Sequence, residues 1–517
     1  MQKKSKSAAV TVFFMIVAML ISKLLGMFRG VLLASAYGIT EKATAFSAAS
    51  RIPLSFFDIV FASAILGCFI PVYNSFTGDE SKKEQNRFAS VYLNFLLLLT
   101  GIVALLGIVF AEPLLKIVAP GLLPETLKTA VLLLRIMFPL IVFAAASYTF
   151  VGVLQSNGEY IVPAFISAVS NVLIILYFLV FNDRFGIVGL AVSYTVAWLV
   201  QLLTLIVPLI KTKYSYRPIF DFKNKGFLTA LKLTPSIMMG SWLSPVCMLL
   251  SMRFASFTAT QGAIPSFEYS INLFTVITGI TTYGICNYFF PKLSLEANND
   301  TESFSKTGRN GLISALMMTV PIAAIVFALA PEGISIVYLR GSFDVSSANN
   351  VCAILKALVP GMIGFTLVEY LSRLFYALKK PKFVVVSVIF AIIVDFLMLY
   401  ALLNFTSLDI SALGFAYSAG ILFAGISMLI FAVKNIKNFL DLTCVFNIFK
   451  LIVSGLFSAY AMMQLKRFIS TSPYTQGIVL NVLYSCIIAF VGVVVYFLLL
   501  FILKEKTVIS LIKKDKE

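Results

Sequence analysis

Apolar runs of about twenty residues or more, separated by short polar breaks, recur along the whole chain. They lie near 8–36, 45–75, 88–111, 129–155, 161–181, 186–210, 226–253, 267–291, 310–331, 347–378, 383–404, 410–433, 443–465 and 480–503. A hydrocarbon core about 30 Å thick needs roughly 20 such residues per helix. The pattern therefore predicts an all-α integral membrane protein with about fourteen transmembrane helices, spans 1 to 14 in chain order. The first run is too long for a cleavable signal peptide and lacks a small-residue cleavage site, so it is expected to persist as span 1.

A second regularity has a period of about 220 residues. Cys68-Phe-Ile-Pro71 matches Tyr288-Phe-Phe-Pro291, and Gly121 matches Gly341. Arg135 with Pro139 matches Lys356 with Pro360, and Tyr160 matches Phe383; the offsets are 220, 220, 221 and 223. Spans 1–6 and 7–12 therefore read as two copies of one six-helix unit. Six is even, so both copies run in the same sense across the bilayer, as a parallel pseudo-two-fold repeat about the membrane normal. The expected organisation is an N-terminal lobe at 1–220 and a C-terminal lobe at 221–440. Spans 13 and 14 with a basic cytoplasmic tail occupy 441–517. Paired lobes of this kind rock around a central cavity to give alternating access. Spans 13 and 14 have no counterpart in the repeat and serve either as a packing accessory or as a lipid-facing addition.

Composition narrows the chemistry. The chain is 60% apolar and 12% charged, and it contains no histidine. No His-based acid, Ser-His-Asp triad, HExxH site or imidazole switch is available. The six cysteines stand far apart within or beside apolar runs, which suits buried thiols better than a zinc knuckle or a disulfide framework. No phosphate-binding Gly-x-x-x-x-Gly-Lys-Ser/Thr loop occurs, which argues against an ATPase. Lys and Arg number 40 against 23 Asp and Glu, a net charge of +17. With the N-terminus inside, about 24 basic residues fall in cytoplasmic segments and about 7 in outer loops, which places both termini in the cytoplasm. The clusters responsible are Lys3-Lys4-Lys6, Lys82-Lys83-Arg87, the Lys211 to Lys225 loop, Lys379-Lys380-Lys382 and the Lys504 to Lys516 tail. None is long enough to track a phosphate backbone, so no nucleic-acid partner is expected.

What remains is a small set of ionisable residues inside the spans, where an isolated charge costs a few kcal/mol even on a lenient scale. Arg29 and Arg51 lie about seven and six residues from the outer ends of spans 1 and 2, roughly 10 Å below the outer surface at 1.5 Å per residue. Lys23 and Asp58 are each about thirteen residues in, near the midplane. Depth alone thus predicts an outer cationic pair, Arg29 and Arg51, above a Lys23 to Asp58 contact. A planar guanidinium matches phosphate oxygens bidentately, so the outer pair is a candidate phosphate or pyrophosphate site. The competing account is that both arginines snorkel to helix-end carbonyls. Lys23 and Asp58 are open to both a structural ion pair and a coupling site. Arg253 ends span 7 near the outer side, where it is placed to add to the cavity charge, and Glu268 begins span 8 there, where it is placed to neutralise it. Asp395 stands alone in span 11 as a cation site or a buried neutral carboxyl. Glu369 and Arg373 suit an internal helical ion pair, and Arg135 and Lys356 suit interfacial anchors. Pro53 and Pro71 in span 2, Pro235 and Pro245 in span 7 and Pro291 in span 8 mark the helices expected to bend. Gly26 lies between Lys23 and Arg29, where it serves either flexing or packing.

Several stretches resemble the MurJ (MviN) lipid II flippases of the MOP transporter superfamily. They are Ser22-Lys-Leu-Leu-Gly-Met-Phe-Arg29, Ser50-Arg-Ile-Pro53, Phe69-Ile-Pro-Val72, Ala119-Pro-Gly121, Arg135-Ile-Met-Phe-Pro139, Phe290-Pro-Lys-Leu-Ser294, Arg340-Gly-Ser-Phe343 and Arg373-Leu-Phe-Tyr-Ala377. The resemblance runs in order from about residue 9 to 420. It implies fourteen helices in two lobes around a cationic cavity, with the two extra helices forming a groove for a lipid tail. On it, Lys23 replaces one family arginine, Arg29 stands on another and Arg51 on a basic position of span 2, so these three are the implied substrate-binding cations. The span-8 pattern Tyr-Ala-x-Arg-Leu reads Tyr269-Ser-Ile-Asn272-Leu273, so a family arginine is Asn272 here unless Arg253 substitutes for it.

The function the resemblance implies is translocation of a polyprenyl-pyrophosphate-linked peptidoglycan precursor from the cytoplasmic to the outer leaflet of a bacterial cytoplasmic membrane. No bond is made, so the protein is expected to be a transporter and not an enzyme, monomeric, with no cofactor or metal. Coupling would come from a monovalent ion, through carboxylates such as Asp58 or Asp395, or from membrane potential. The alternatives are a flippase for another polyprenyl-linked oligosaccharide, a drug/cation antiporter, which would show twelve spans and an acidic cavity, and a membrane glycosyltransferase or ligase, which would need a sizeable outer loop.

Overall fold

The computed structural model describes residues 2–62, 65–76, 81–297, 300–469, 474 and 477–505. Residues 63–64 of span 2 and the basic tail from 506 onward lie outside the described residues, as do the side chains of Lys3, Lys4 and Lys6. Every regular element among the described residues is a helix. Among the described residues twelve helical segments are long and apolar enough to cross a membrane, two of them joined from two helices each, and the bent pair Lys225–Gly240 and Leu243–Ala255 makes a thirteenth. These are spans 1, 3 to 6 and 8 to 14, with the bent pair as span 7. Span 2 is divided into a helix Glu41–Phe57, π-helical turns Asp58–Ala62 and Ile65–Phe69, and a last helix Ile70–Ser75.

The breaks follow from proline chemistry. Proline lacks an N–H and its ring collides with the carbonyl four residues back, but the first helical turn tolerates it because those N–H groups have no intrahelical partner anyway. Span 2 restarts at Ile70, so that Pro71 falls on a first turn. Span 7 restarts at Leu243, which does the same for Pro245, and its two halves meet at 54°. In span 9, Thr301–Tyr338, Pro331 follows a non-helical residue, Leu329, at φ −110° and ψ 18°. Span 1 ends at Tyr37, where Gly38 takes the left-handed conformation at φ 54° and its N–H closes the last turn on the carbonyl of Ala34 at 2.7 Å.

The chain forms two compact units, Met1–Phe257 and Thr258–Glu517. In the first, span 1 lies along span 5 (Ile161–Val180), and span 3 (Ser81–Val109) packs on Leu140–Ser156 of span 4. Both halves of span 7 belong to this unit. The loop between spans 6 and 7 is strapped along span 3: the buried Asn94 donates to the carbonyls of Arg217 and Ile219 and accepts from the Tyr216 hydroxyl at 2.6 Å. The turn Ala119-Pro-Gly121 meets the end of span 7. A Cβ on Gly121 would stand 1.9 Å from the Ser256 carbonyl oxygen, so only glycine allows this approach.

In the second unit the tightest seam joins span 10 (Val345–Ala377) to span 12 (Ser411–Asn435). Small residues bring the backbones together, as is usual where hydrocarbon gives no hydrophobic drive to associate. A Cβ on Gly364 would lie 2.7 Å from the backbone nitrogen of Leu422, and one on Gly414 would lie 2.6 Å from the carbonyl oxygen of Ile354. A buried hydroxyl ladder, Thr282 to Thr366 at 3.1 Å and Thr366 to Thr319 at 2.8 Å, ties spans 8, 10 and 9. Spans 13 and 14 pack on span 9 through Ala324, Ala328, Ala459, Met462 and Ile488. A Glu332–Lys466 ion pair at 2.5 Å pins the C-terminal end of span 13, and Lys466 also reaches the Ala328 carbonyl beside the kink.

Two outcomes follow. Gly364→Ala should cost about 1–3 kcal/mol by overpacking against a backbone that cannot yield, read as a lowered thermal midpoint. Gly284→Ala, which meets nothing within 4 Å, serves as the neutral control. The second concerns Asp344, which caps span 10 by accepting from the Ser347 N–H at 2.8 Å and the Ser347 hydroxyl at 2.7 Å. The backbone and side-chain bonds from Ser347 hold its carboxyl below the ordinary aspartate range. The ionised form is therefore favoured in the folded state. The cap's contribution is fully present above the ordinary value and is lost as pH falls through the lowered one. The difference in thermal midpoint between wild type and Asp344→Asn should accordingly be present at neutral pH and vanish at strongly acidic pH.

Candidate functional site

Arg29 sits in span 1 eight residues before its end at Tyr37, about 12 Å along the helix axis. It is half-buried. Its Nη1 donates to the Oδ1 of Asn171 in span 5 at 2.9 Å, and its guanidinium carbon lies 5.3 Å from the ring centroid of Tyr194 in span 6. The Asn171 amide is fixed in turn, because its Nδ2 donates to the Ser22 carbonyl of span 1 at 3.1 Å. Phe46 of span 2 braces Tyr194 edge-on at 5.1 Å and 76°. One cation is thus positioned by four spans. Both groups holding it are neutral, and among the described residues Arg29 has no carboxylate partner. A guanidinium carries five N–H donors, of which the protein engages one.

Span 2 places Arg51 half-buried and Asp58 exposed, at the start of the π-helical turns. The cation whose field reaches Asp58 is Arg51. Seven residues is close to two helical turns, so the two share a face. The expected Lys23 to Asp58 contact therefore gives way to an Arg51 to Asp58 interaction along one helix. Depth arithmetic says nothing of the azimuth of Lys23. Lys23 is exposed and lies six residues, about 600° of helix, before Arg29, so the two point to different sides of span 1.

The irregular middle of span 2 meets the break in span 7. Trp242 donates its indole N–H to the Ile59 carbonyl at 3.0 Å, supplying a donor where the π-helical turns disturb the regular ladder. Phe57 packs on Tyr148 at 5.3 Å and on Trp198 at 6.5 Å, so both tryptophans of the chain flank this joint. Thr234 donates to the Cys68 sulfur at 3.6 Å. An apolar cavity of about 110 Å³ lies beside it, lined by Val60, Tyr92, Phe227, Leu231, Thr234 and Met238. Arg253, a candidate cavity cation, is engaged elsewhere: its Nη1 donates to the Ile117 carbonyl at the end of the short helix Ala111–Val118.

The other candidates lie in the second unit. Glu268 is half-buried and close enough to Tyr338 to act on it electrostatically. Asn272 is exposed on span 8. Asp395 is fully buried, with span 12 so close that a Cβ on Gly420 would stand 2.9 Å from its own Cβ. Glu369 and Arg373 form the expected helical ion pair at 3.7 Å, and Arg373 also lies over the Tyr283 ring at 5.7 Å. Among the described residues no group of three carboxylates or thiols gathers to hold a metal ion.

Sequence reasoning missed Asn171, Tyr194 and Trp242. Asn171 carried a usable signal, since a lone amide in an apolar span needs partners. The ring contacts carried none, because aromatic residues are common throughout this chain.

Fold and site define a multi-pass helical transporter that holds an uncompensated cation at membrane depth. The comparisons specify it further. The chain belongs to the lipid II flippase MurJ family, whose family model matches residues 33–513. A curated relative, the probable lipid II flippase MurJ of Buchnera aphidicola subsp. Acyrthosiphon pisum (strain APS), is 29% identical over 384 residues, 73% of this chain and 75% of its own. The fold is similar to that of a solved lipid II flippase MurJ in an inward closed conformation, with a TM-score of 0.80 at 19% identity over 96% of this chain and 100% of that one. It is also similar to an inward-facing multidrug resistance MATE family transporter of the MOP superfamily, with a TM-score of 0.68 at 13% identity over 83% of this chain and 98% of that one.

If Arg253 works as a helix-end cap, Arg253→Ala should lower the thermal midpoint by the equivalent of about 1.5–3 kcal/mol, the range for a hydrogen bond from a charged group. Thermal unfolding of the purified protein checks this, and an unchanged midpoint would return Arg253 to the candidate cavity cations.

Proposed function

We propose that this protein is a flippase for lipid II, moving the polyprenyl-pyrophosphate-linked precursor from the cytoplasmic to the outer leaflet of a bacterial cytoplasmic membrane by alternating access. The observation that carries this reading is Arg29, which is half-buried, at membrane depth, without a carboxylate partner and with one of five donors engaged. A cation left uncompensated there is costly. Its counter-charge arrives with the ligand, and a pyrophosphate supplies both the charge and the acceptor oxygens that a guanidinium fork fits.

In this reading Arg29, with Lys23 and Arg51 as further cations, takes the pyrophosphate, while the sugar-peptide head enters the cavity and the polyprenyl chain stays in lipid. Translocation makes and breaks no bond, so the protein acts as a monomeric transporter and needs no cofactor. Its energy comes from membrane potential or a monovalent ion. The excess of basic residues in alternate loops supports cytoplasmic termini. An exposed Asn272 where the family carries arginine favours one second reading, a flippase for another polyprenyl-linked oligosaccharide.

Depleting the protein in its own cell should trap lipid II in the inner leaflet, and complementation with Arg29→Ala should fail while the variant still reaches the membrane. Outer-leaflet lipid II that stays unchanged on depletion, with no second flippase present, would sink the proposal.

A further inference from the structure

The contacts of Arg29 divide its needs in an unusual way. Position comes from two neutral groups, the Asn171 amide and the Tyr194 ring. Charge compensation comes from neither. Asn171 is 6% exposed and works on both sides: its Oδ1 accepts from Arg29 while its Nδ2 donates to the Ser22 carbonyl. The carbonyl can only accept, so the Nδ2 must face it, which turns the Oδ1 toward Arg29 and fixes the amide in one orientation. Tyr194 attracts the guanidinium through the negative face of its ring, again without discharging it. Other cations of the chain are met by carboxylates, as Lys466 is by Glu332 and Arg309 by Asp441, both at 2.5 Å, while Arg253 ends on a backbone carbonyl that caps a helix. A carboxylate at position 171 would have almost the same shape as the amide and would close Arg29 into such a pair.

We infer that Asn171 and Tyr194 are positioning residues that aim Arg29 while keeping its charge available, so that an anionic pyrophosphate headgroup completes the site as the missing carboxylate. This rests on the flippase reading, to which it adds what holds the binding arginine and why that holder is neutral. It assigns Asn171 a role that a purely structural clamp between spans 1 and 5 would not have. For a clamp, a carboxylate strengthens the bond to Arg29 but gives up the donation to the Ser22 carbonyl, so its effect on the clamp is read separately, from the thermal midpoint. For a holder that must not neutralise the cation, the same substitution is the worst available.

The test uses the purified full chain in lipid nanodiscs, titrated with undecaprenyl pyrophosphate and, as the uncharged control, undecaprenol. Wild type should bind the pyrophosphate and discriminate against the alcohol. Asn171→Asp loses the bond to Ser22 and gains an ion pair with Arg29, so its thermal midpoint should stay at or above that of Asn171→Leu, yet it should weaken pyrophosphate binding by about tenfold or more relative to wild type, since a charge-assisted contact is replaced by an internal pair. Asn171→Leu should lower both midpoint and affinity. A parallel pair keeps the idea open to refutation if the first variant misfolds: Tyr194→Phe, which retains the ring face, should bind within about twofold of wild type, and Tyr194→Leu should bind several-fold more weakly. Asn171→Asp binding as tightly as wild type, or Tyr194→Leu binding as tightly as Tyr194→Phe, overturns the inference and leaves the flippase reading standing. Wild type that does not distinguish pyrophosphate from alcohol overturns both.

Discussion

Within hydrocarbon no water is present to satisfy a backbone N–H or C=O, so each must find a partner inside the chain. Regular helices solve this automatically, which is why the described residues contain no other regular element. The informative places are those where the solution is interrupted. Trp242 donates to Ile59 at the π-helical turns, Lys466 to Ala328 beside the Pro331 kink, and Arg253 to Ile117 where a short helix ends. At each site a side chain from another span supplies a donor, so the irregular helix and its neighbour are held as one piece.

The same medium sorts the charges. Membrane-depth cations with carboxylate partners are accounted for by structure alone, and Arg373 with Glu369 is the plain case. Lys466 with Glu332 fixes spans 13 and 14 to the second unit, so these helices are an integral part of its packing. Arg29 is the contrast: an amide and a ring hold it in position, and no carboxylate among the described residues meets it, which is the arrangement on which the proposed pyrophosphate site rests. The net charge of +17 contributes little to this argument.

Most of the spans were legible because length and apolarity are one-dimensional properties; proline marked the breaks in spans 2 and 7, whereas Pro291 lies inside an unbroken span 8 and span 9 is kinked before Pro331. Azimuth was not legible. Lys23 and Asp58 share a depth, yet the charge acting on Asp58 is that of Arg51 on the same helix face. Arg253 looked like a cavity cation because it ends span 7 near the outer side, but its bond runs sideways to a backbone carbonyl that no sequence pattern advertises. Arg29 itself was visible as an intramembrane arginine; its neutral holders were not, since a single asparagine and a single tyrosine in apolar spans have no periodicity to betray what they face.

Span 7 shows where repeat and packing part company. By its position in the sequence it opens the second copy of the six-helix unit, as span 1 opens the first. Span 1 is fastened to span 5 of its own copy by Ser22, Arg29 and Asn171. Span 7 is instead fastened to the first unit along its whole length: Thr234 on Cys68, Trp242 on Ile59 and Arg253 on Ile117. Each bond uses a polar side chain facing an irregular or terminal stretch of the partner, where a donor is worth most. A helix held this way is bound by a few replaceable hydrogen bonds and by a break at Gly240 to Leu243 that lets its halves take different directions. The repeat therefore supplies two equivalent opening helices, and the polar residues they meet make their roles unequal: span 1 carries the cation, and span 7 closes around the irregular part of span 2 next to it.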